Sequence, residues 1–220
     1  MFEDIAHRYD LLNDLLSLGL HRVWKRQSLA WLNPLPGQLF VDLCCGTGDL
    51  ALLLAAKLRP GGQVLGIDTA AAPLAIARQR SSLQPWLPVQ WRQGDALATR
   101  LPNGWADGAA MAYGLRNLTD PGSGLGELRR VLRPGGRAAV LDFNRPNGKV
   151  AAIQTAYLRR LVVPMASWFA LHRHYAYLEA SLERFPDAET QETLARSAGF
   201  AHAHHRTLAG GLMGLLELIA

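Results

Sequence analysis

Leu39-Phe40-Val41-Asp42-Leu43-Cys44-Cys45-Gly46-Thr47-Gly48-Asp49-Leu50 reads as an apolar strand that runs into a glycine turn and on into a helix. The strand follows a breaker, Asn33-Pro34-Leu35-Pro36-Gly37, and the Leu/Ala run Leu50 to Leu58 that comes after the turn ends at Arg59-Pro60-Gly61-Gly62. A short apolar run with turn signals suits a buried strand, and an unbroken Leu/Ala run suits a helix. Strand, tight turn and helix in that order are the opening unit of a parallel sheet with helical crossovers.

The same rhythm continues on the C-terminal side. Strands are predicted at Gln63 to Ile67 (ending at Asp68), Val89 to Arg92 (ending at Gly94-Asp95), Gly108 to Tyr113 and Arg137 to Phe143. Helices are predicted around Pro73 to Ser82 and from Ser123 to Leu132, the second stopped by Arg133-Pro134-Gly135-Gly136. A helix at Thr190 to Ala198 and two closing strands, about Ala201 to Leu208 and Leu212 to Ile219, finish the chain. Upstream, Asp10 to Leu32 spaces its apolar residues as one or two helices. The expectation is one α/β domain over residues 1–220, a mostly parallel seven-stranded sheet flanked by helices. Residues 1–36 form a helical cap, and residues 145–185 form a helical insertion over the substrate site.

In such sheets ligands bind at the carboxyl ends of the strands, near the point where strand order reverses. Cys45 to Asp49, Asp68, Asp95 and Gly114 to Asn117 all fall there. The turn lets a ligand approach the backbone, and the following helix N-terminus points amides into the same space. A dinucleotide loop would carry a third glycine where Ala51 stands, and Asp49 would repel a pyrophosphate. A zwitterionic amino-acid tail would welcome that carboxylate. Asp68, twenty residues after Gly48, has the spacing of an acid that takes ribose hydroxyls. Asp95 can accept from an adenine amino group. Amino acid, ribose and adenine together describe S-adenosylmethionine. The competing reading is an ordinary Rossmann-like domain whose aspartates merely cap helices.

Composition narrows the classes. The 220 residues are 49% apolar and 19% charged, enough for a real core, and the net charge of +5 is modest and scattered rather than gathered into a nucleic-acid stripe. No Asp/Asn-Pro-Pro-Tyr follows the fourth strand, so amino methylation of nucleic acid or protein is disfavoured. Asp49 and Ala51 count against a nicotinamide oxidoreductase, and the intact crevice against a non-enzymatic binding module. The only two cysteines, Cys44 and Cys45, are adjacent, which points to a reducing compartment and no disulfide framework. Cys44 reads as a small filler under the turn. His202 and His204 alternate onto one solvated face of an edge strand rather than forming a metal site. No apolar run reaches the length of a membrane span, and Glu3, Asp4, Arg8 and Asp10 interrupt any signal peptide. An amphipathic pattern already running at Phe2 suggests a chain that continues upstream. The expected location is the cytoplasm, with at most a peripheral place on a membrane.

Tyr9-Asp10-Leu11-Leu12-Asn13-Asp14-Leu15-Leu16-Ser17, with His21-Arg22 and Trp24, resembles the N-terminal signature of the ubiquinone/menaquinone-biosynthesis C-methyltransferases (the UbiE/MenG family). Arg130-Val131-Leu132-Arg133-Pro134-Gly135-Gly136 followed by Asp142-Phe143-Asn144 is similar to the second signature. Gly114-Leu115-Arg116-Asn117-Leu118, Tyr177-Leu178 with Phe185-Pro186, and Ala209-Gly210-Gly211 match in order. Leu12, Asp142 and Asn144 depart from the usual residues, and Ala112 stands where a cofactor-contacting serine is common. The turn hexapeptide looks most like the cyanobacterial and plastid branch, which methylates demethylphylloquinone.

The resemblance implies a Rossmann-like class I S-adenosylmethionine-dependent methyltransferase acting on a ring carbon of a reduced prenylated quinone. Demethylphylloquinol leads, with demethylmenaquinol, a benzoquinol precursor of ubiquinone or another small molecule as alternatives. Asp42, Gly46, Thr47, Gly48, Asp49, Asp68, Asp95, Ala96 and Asn117 are the implied cofactor-binding set. Arg116, His21 and Tyr9 are the implied catalytic candidates: Arg116 to stabilise a quinolate or place a water, His21 as a base, Tyr9 beside the cofactor. Against these stand blander roles, with Arg116-Asn117 capping the next helix and His21 packed beside Trp24. The basic and aromatic stretch from Leu158 to Tyr177 suits an anionic membrane surface, a pocket for an isoprenoid tail, or a homodimer contact. No metal and no nucleic acid are expected.

Overall fold

The protein is described here by a computed structural model covering residues 19–145, 181–182 and 184–220. Its strands are β1 (Leu39–Leu43), β2 (Gln63–Asp68), β3 (Val89–Gln93), β4 (Ala106–Ala112), β5 (Leu132–Phe143), β6 (His202–Leu208) and β7 (Met213–Ile219). The helices are α1 (His21–Leu32), α2 (Asp49–Lys57), α3 (Ala71–Ser82), α4 (Pro121–Val131) and α5 (Ala188–Ser197). The strands form one seven-stranded sheet in the order β3-β2-β1-β4-β5-β7-β6. The first five are parallel, and β7 lies antiparallel between β5 and β6. The mostly parallel sheet expected from the alternating pattern is therefore present.

Side chains alternate across each strand, so β1 sends Phe40 to one face and Val41 and Leu43 to the other. Helices cover both faces. One face packs Trp24 of α1 and Leu50, Leu54 and Ala55 of α2 with Phe40, Val64 and Leu215; the other packs Leu125 and Leu128 of α4 and Ala195 of α5 with Ile67, Met111 and Val140. Strands buried on both faces have to be almost continuously apolar, as β1 and β4 are.

α1 is fastened at its C-terminal end. Trp31 Nε1 donates to the Ala138 carbonyl at 2.9 Å, and Arg137 Nη1 donates to the Trp31 carbonyl at 2.9 Å. Asn33, at φ 45°, ends the helix as the sequence predicts. Its buried residues are His21, Trp24, Lys25, Ser28 and Leu32, a single stripe that mixes polar and apolar side chains.

One boundary differs from expectation. α4 ends at Val131, and the strand begins at once at Leu132, paired with Ala106, before the register jumps to Gly108 opposite Arg137. Arg133-Pro134-Gly135-Gly136 is thus an irregularity within β5, pinned because Gly135 N donates to Ala220 O and Ala220 N to Gly136 O. The turn was legible; its tether to the far end of the chain was not. At the sheet edge, β6 follows the predicted alternation, with His202 and His204 exposed. Side chains of α5 cap its open edge: His205 N donates to Glu192 Oε1 at 2.8 Å and Arg196 Nη2 to the Ala203 carbonyl at 3.3 Å. Tyr9 and almost all of the expected insertion at 145–185 lie outside the described residues.

Candidate active site

A cavity of about 250 Å³ opens at the carboxyl ends of the strands around β1 and β4, where the order of connection reverses. Its walls include Cys44, Gly46, Asp68, Asp95, Ala96 and Asn117. The four strand-end segments singled out in the sequence therefore do converge.

The glycine turn is held against β3. Gly48 has φ 86°, and a Cβ there would sit 2.4 Å from the Trp91 ring; one on Gly66 would sit 2.5 Å from the same ring. Trp91 is in turn fixed by its Nε1, which donates to Ser81 Oγ at 3.0 Å. Only glycine permits both the backbone angle and the approach. Trp91 was missed in the sequence, where it is one aromatic in a short strand. Cys44 adopts φ 55° and shares the cavity wall, whereas Cys45 is the buried thiol. Burial raises both thiol pKa values, so neither is a thiolate near neutrality.

The two acids read as nucleoside ligands are held by local backbone. Asp68 accepts from Gly46 N at 2.8 Å through one oxygen and from Ala70 N at 2.9 Å through the other. Each carboxylate oxygen has a second lone pair, so two acceptor directions remain for ribose hydroxyls. Asp95 Oδ1 accepts from Leu97 N at 2.9 Å, which sets the turn that carries Ala96.

The turn's other side is built by distant elements. Asp49 forms ion pairs with Lys25 Nζ of α1 at 2.8 Å and with Arg80 of α3. Burial alone would raise the Asp49 pKa, but these two cations overcome it and lower the value to about 2. Arg80 also donates to the Thr47 carbonyl at 3.2 Å, anchoring the turn. Asp42, at the centre of β1, is 1% exposed, and neither carboxyl oxygen makes a well-formed hydrogen bond among the described residues. Desolvation pushes its pKa up to about 8 despite the nearby Lys25 charge. Lys25 and Arg80 build this side of the turn, and sequence reading missed both. Lys25 is signalled only by its place one turn after His21, and Arg80 looks like an ordinary solvent-facing arginine.

Beyond β4 the backbone is strained. Tyr113 has φ 61°, and its carbonyl accepts from Arg116 Nη1 and from Asn117 Nδ2, each at 2.9 Å. The Arg116 guanidinium also pairs with Asp142, and the Arg116 amide donates to the same carboxylate at 3.1 Å. Both side chains are buried, at 9% and 4% exposure. Neither Arg116 nor Asn117 caps the next helix; Asp120 does, accepting from Gly122 N and Ser123 N. Asn117 lines the cavity. His21 is buried at the start of α1, four residues before Lys25 on one face. Tyr9 lies outside the described residues. No cluster of three metal-ligating side chains occurs among the described residues, and no described helix is long and apolar enough to cross a membrane.

Residues 1–216 match the ubiE/COQ5 methyltransferase family. The chain belongs to that family. Among the relatives of this methyltransferase is the "2-phytyl-1,4-naphtoquinone methyltransferase" of Thermosynechococcus vestitus, 47% identical over 98% of this chain and 95% of that one. Another is the chloroplastic "2-phytyl-1,4-beta-naphthoquinone methyltransferase" of Arabidopsis thaliana, 41% identical over 98% of this chain and 84% of the relative. In fold the methyltransferase is similar to a SAM-dependent methyltransferase from Aquifex aeolicus, with TM-score 0.65, 16% identity and coverage of 89% and 88%. It is likewise similar to the Haemonchus contortus phosphoethanolamine N-methyltransferase 2 solved with S-adenosyl-L-methionine, with TM-score 0.64, 19% identity and coverage of 84% of this chain and 38% of that one. S-adenosylmethionine is its cofactor. The donor set fits that group: acids at the ends of β2 and β3 for the nucleoside, and oppositely charged side chains beside the turn for an amino acid.

Proposed function

We propose that the protein methylates a ring carbon of a reduced prenylated naphthoquinone, converting demethylphylloquinol to phylloquinol. The observation that carries this reading is identity of 41–47% over nearly the whole chain to relatives that share that substrate in their names. The bound cofactor supplies an electrophilic methyl carbon whose sulfur leaves as a neutral thioether. The quinol ring carbon forms the new C–C bond, the S–C bond breaks, and the ring carbon then loses its proton. Most of the protein's contribution is alignment, which is worth several kcal/mol when the reacting atoms are held in line.

The chain's residues divide that work. Asp68 and Asp95 bind the nucleoside, fixing it against the turn. Arg116, committed to Asp142 and to the Tyr113 carbonyl, acts as a positioning residue: it holds the strained end of β4, whose Tyr113 is part of the cavity wall. His21 takes a ring proton, directly or through water. The aromatic and basic stretch from Leu158 to Tyr177, outside the described residues, supports contact with a lipid surface, where such a quinol resides. A homodimer is compatible with the same stretch.

The test is transfer of labelled methyl groups to demethylphylloquinone, demethylmenaquinone and a ubiquinone-precursor benzoquinone, each offered oxidised and reduced. Methylation confined to the reduced phytyl naphthoquinone is the expected result. Preference for the benzoquinol, or equal use of oxidised acceptors, would overturn the substrate or the quinolate step.

A further inference from the structure

Beside the main cavity lies a recess of about 30 Å³ that shares Cys44, Gly46 and Tyr113 with it. Its charged lining consists of Lys25, Asp42 and Asp49. The main cavity offers acids at the nucleoside end; the recess, reached past the glycine turn, offers both signs of charge. That is what the α-amino and α-carboxyl groups of a methionine tail require.

We infer that Lys25 binds the carboxylate of the cofactor's methionine half, so that α1 is part of the cofactor site and not merely a cover. Asp49 has a second cation in Arg80, so it stays compensated when Lys25 takes another partner. Lys25 Nζ has three donors; one goes to Asp49, and the others make no hydrogen bond among the described residues. Its side chain is 7% exposed, with the ammonium 5.9 Å from the centroid of the Tyr113 ring, which lines both cavities. A buried ammonium with spare donors on a recess wall is a poor structural element and a good carboxylate ligand. Asp42, buried and without a well-formed hydrogen bond among the described residues, is its counterpart for the ammonium group.

This inference rests on the nucleoside lying in the main cavity, and the test separates the two. Calorimetry would compare S-adenosylhomocysteine, its decarboxylated analogue and 5′-deoxy-5′-methylthioadenosine on the wild type, Lys25→Gln, Lys25→Met and Lys25→Arg. The wild type should prefer the carboxylate-bearing ligand to the decarboxylated one by roughly 10- to 100-fold, the range of a charge-assisted hydrogen bond. Lys25→Gln and Lys25→Met should lose most of that ratio, binding methylthioadenosine as the wild type does, while Lys25→Arg keeps it. A ratio unchanged in Lys25→Gln, or a uniform loss across all three ligands, would overturn the role of Lys25. A wild type that ignores methylthioadenosine would instead overturn the placement of the nucleoside.

Discussion

The two ends of the crevice hold acids of the same chemical type in opposite ways. At the nucleoside end, Asp68 and Asp95 accept from amides of neighbouring turns, Gly46, Ala70 and Leu97. At the methionine end, Asp49 is met by side chains from α1 and α3, and Asp42, without a well-formed hydrogen bond among the described residues, is opposed in its burial chiefly by the charge of Lys25. The first arrangement is set by local backbone and is already formed before a ligand arrives. The second is a balance of buried charges, so protons and ligands can shift it. The Arg116–Asp142 pair acts behind both, since Arg116 holds the carbonyl of Tyr113, a residue that lines both cavities.

The largest effect should come from breaking that pair. Arg116→Ala leaves Asp142 a buried carboxylate without its cation, at a cost of about 3 to 5 kcal/mol. For a chain of this size the melting temperature should fall by roughly 10 °C. Asp142 also accepts from the amides of Arg116 and Phe143, so removing it together with Arg116 should recover only part of the loss. Thermal unfolding and turnover of both variants would be measured together. An Arg116→Ala protein with wild-type stability and turnover would show that the pair shapes nothing.

Next in size is the nucleoside end. Asp68→Ala removes the ribose acceptors and releases Gly46 N and Ala70 N, and should weaken S-adenosylhomocysteine binding about 100-fold. A loss of less than about threefold would take Asp68 out of the cofactor site.

The contrast between the two ends also explains what the sequence disclosed. Asp68 and Asp95 were legible because the first ends an apolar strand and the second lies just beyond a short one, and a parallel sheet fixes where such residues go. The glycine turn and the parallel sheet followed from the same local rules. Lys25 and Arg80 were not legible, since nothing in a helix's own sequence says which charged side chain will be folded under a neighbouring turn. Arg116 was read as stabilising a quinolate or placing a water; its commitment to Asp142 needed the register that sets β5 beside β4. Trp91 escaped notice because its role is to fill the space that Gly48 and Gly66 leave open.

The methionine end should betray itself by its protons. The Asp42 pKa rises from 3.8 to about 8 on folding through burial, opposed by Lys25 and reinforced by Asp68 and Asp49. A raised carboxyl pKa contributes stability that is fully present below 3.8 and is lost as pH climbs through about 8. Pairing with the cofactor's ammonium reverses the preference, so binding at pH 7 should release nearly one proton. Calorimetry in buffers of differing ionisation enthalpy would count it. Asp42→Asn should abolish the release, weaken binding about 10-fold and make the cofactor-free protein relatively more stable at pH 9. A release unchanged in that variant would place the proton elsewhere.

The smallest effect tests how that balance is shared. Asp49 has two cations, and the Arg80 side chain is 34% exposed, so solvent already screens much of its charge. Arg80→Ala leaves Lys25 on Asp49 but removes the Arg80 contact to the Thr47 carbonyl, which loosens the turn without emptying the recess. The KM for S-adenosylmethionine should rise about threefold, worth under 1 kcal/mol, with kcat unchanged. If Lys25 is drawn toward the cofactor, the remaining load on Asp49 falls on Arg80 only while cofactor is bound. The penalty of Arg80→Ala should then be smaller for 5′-deoxy-5′-methylthioadenosine, which leaves Lys25 where it is, than for S-adenosylhomocysteine. An equal penalty for the two ligands would mean that Arg80 acts through the turn alone, and that the methionine end is less of a shared charge balance than its geometry indicates.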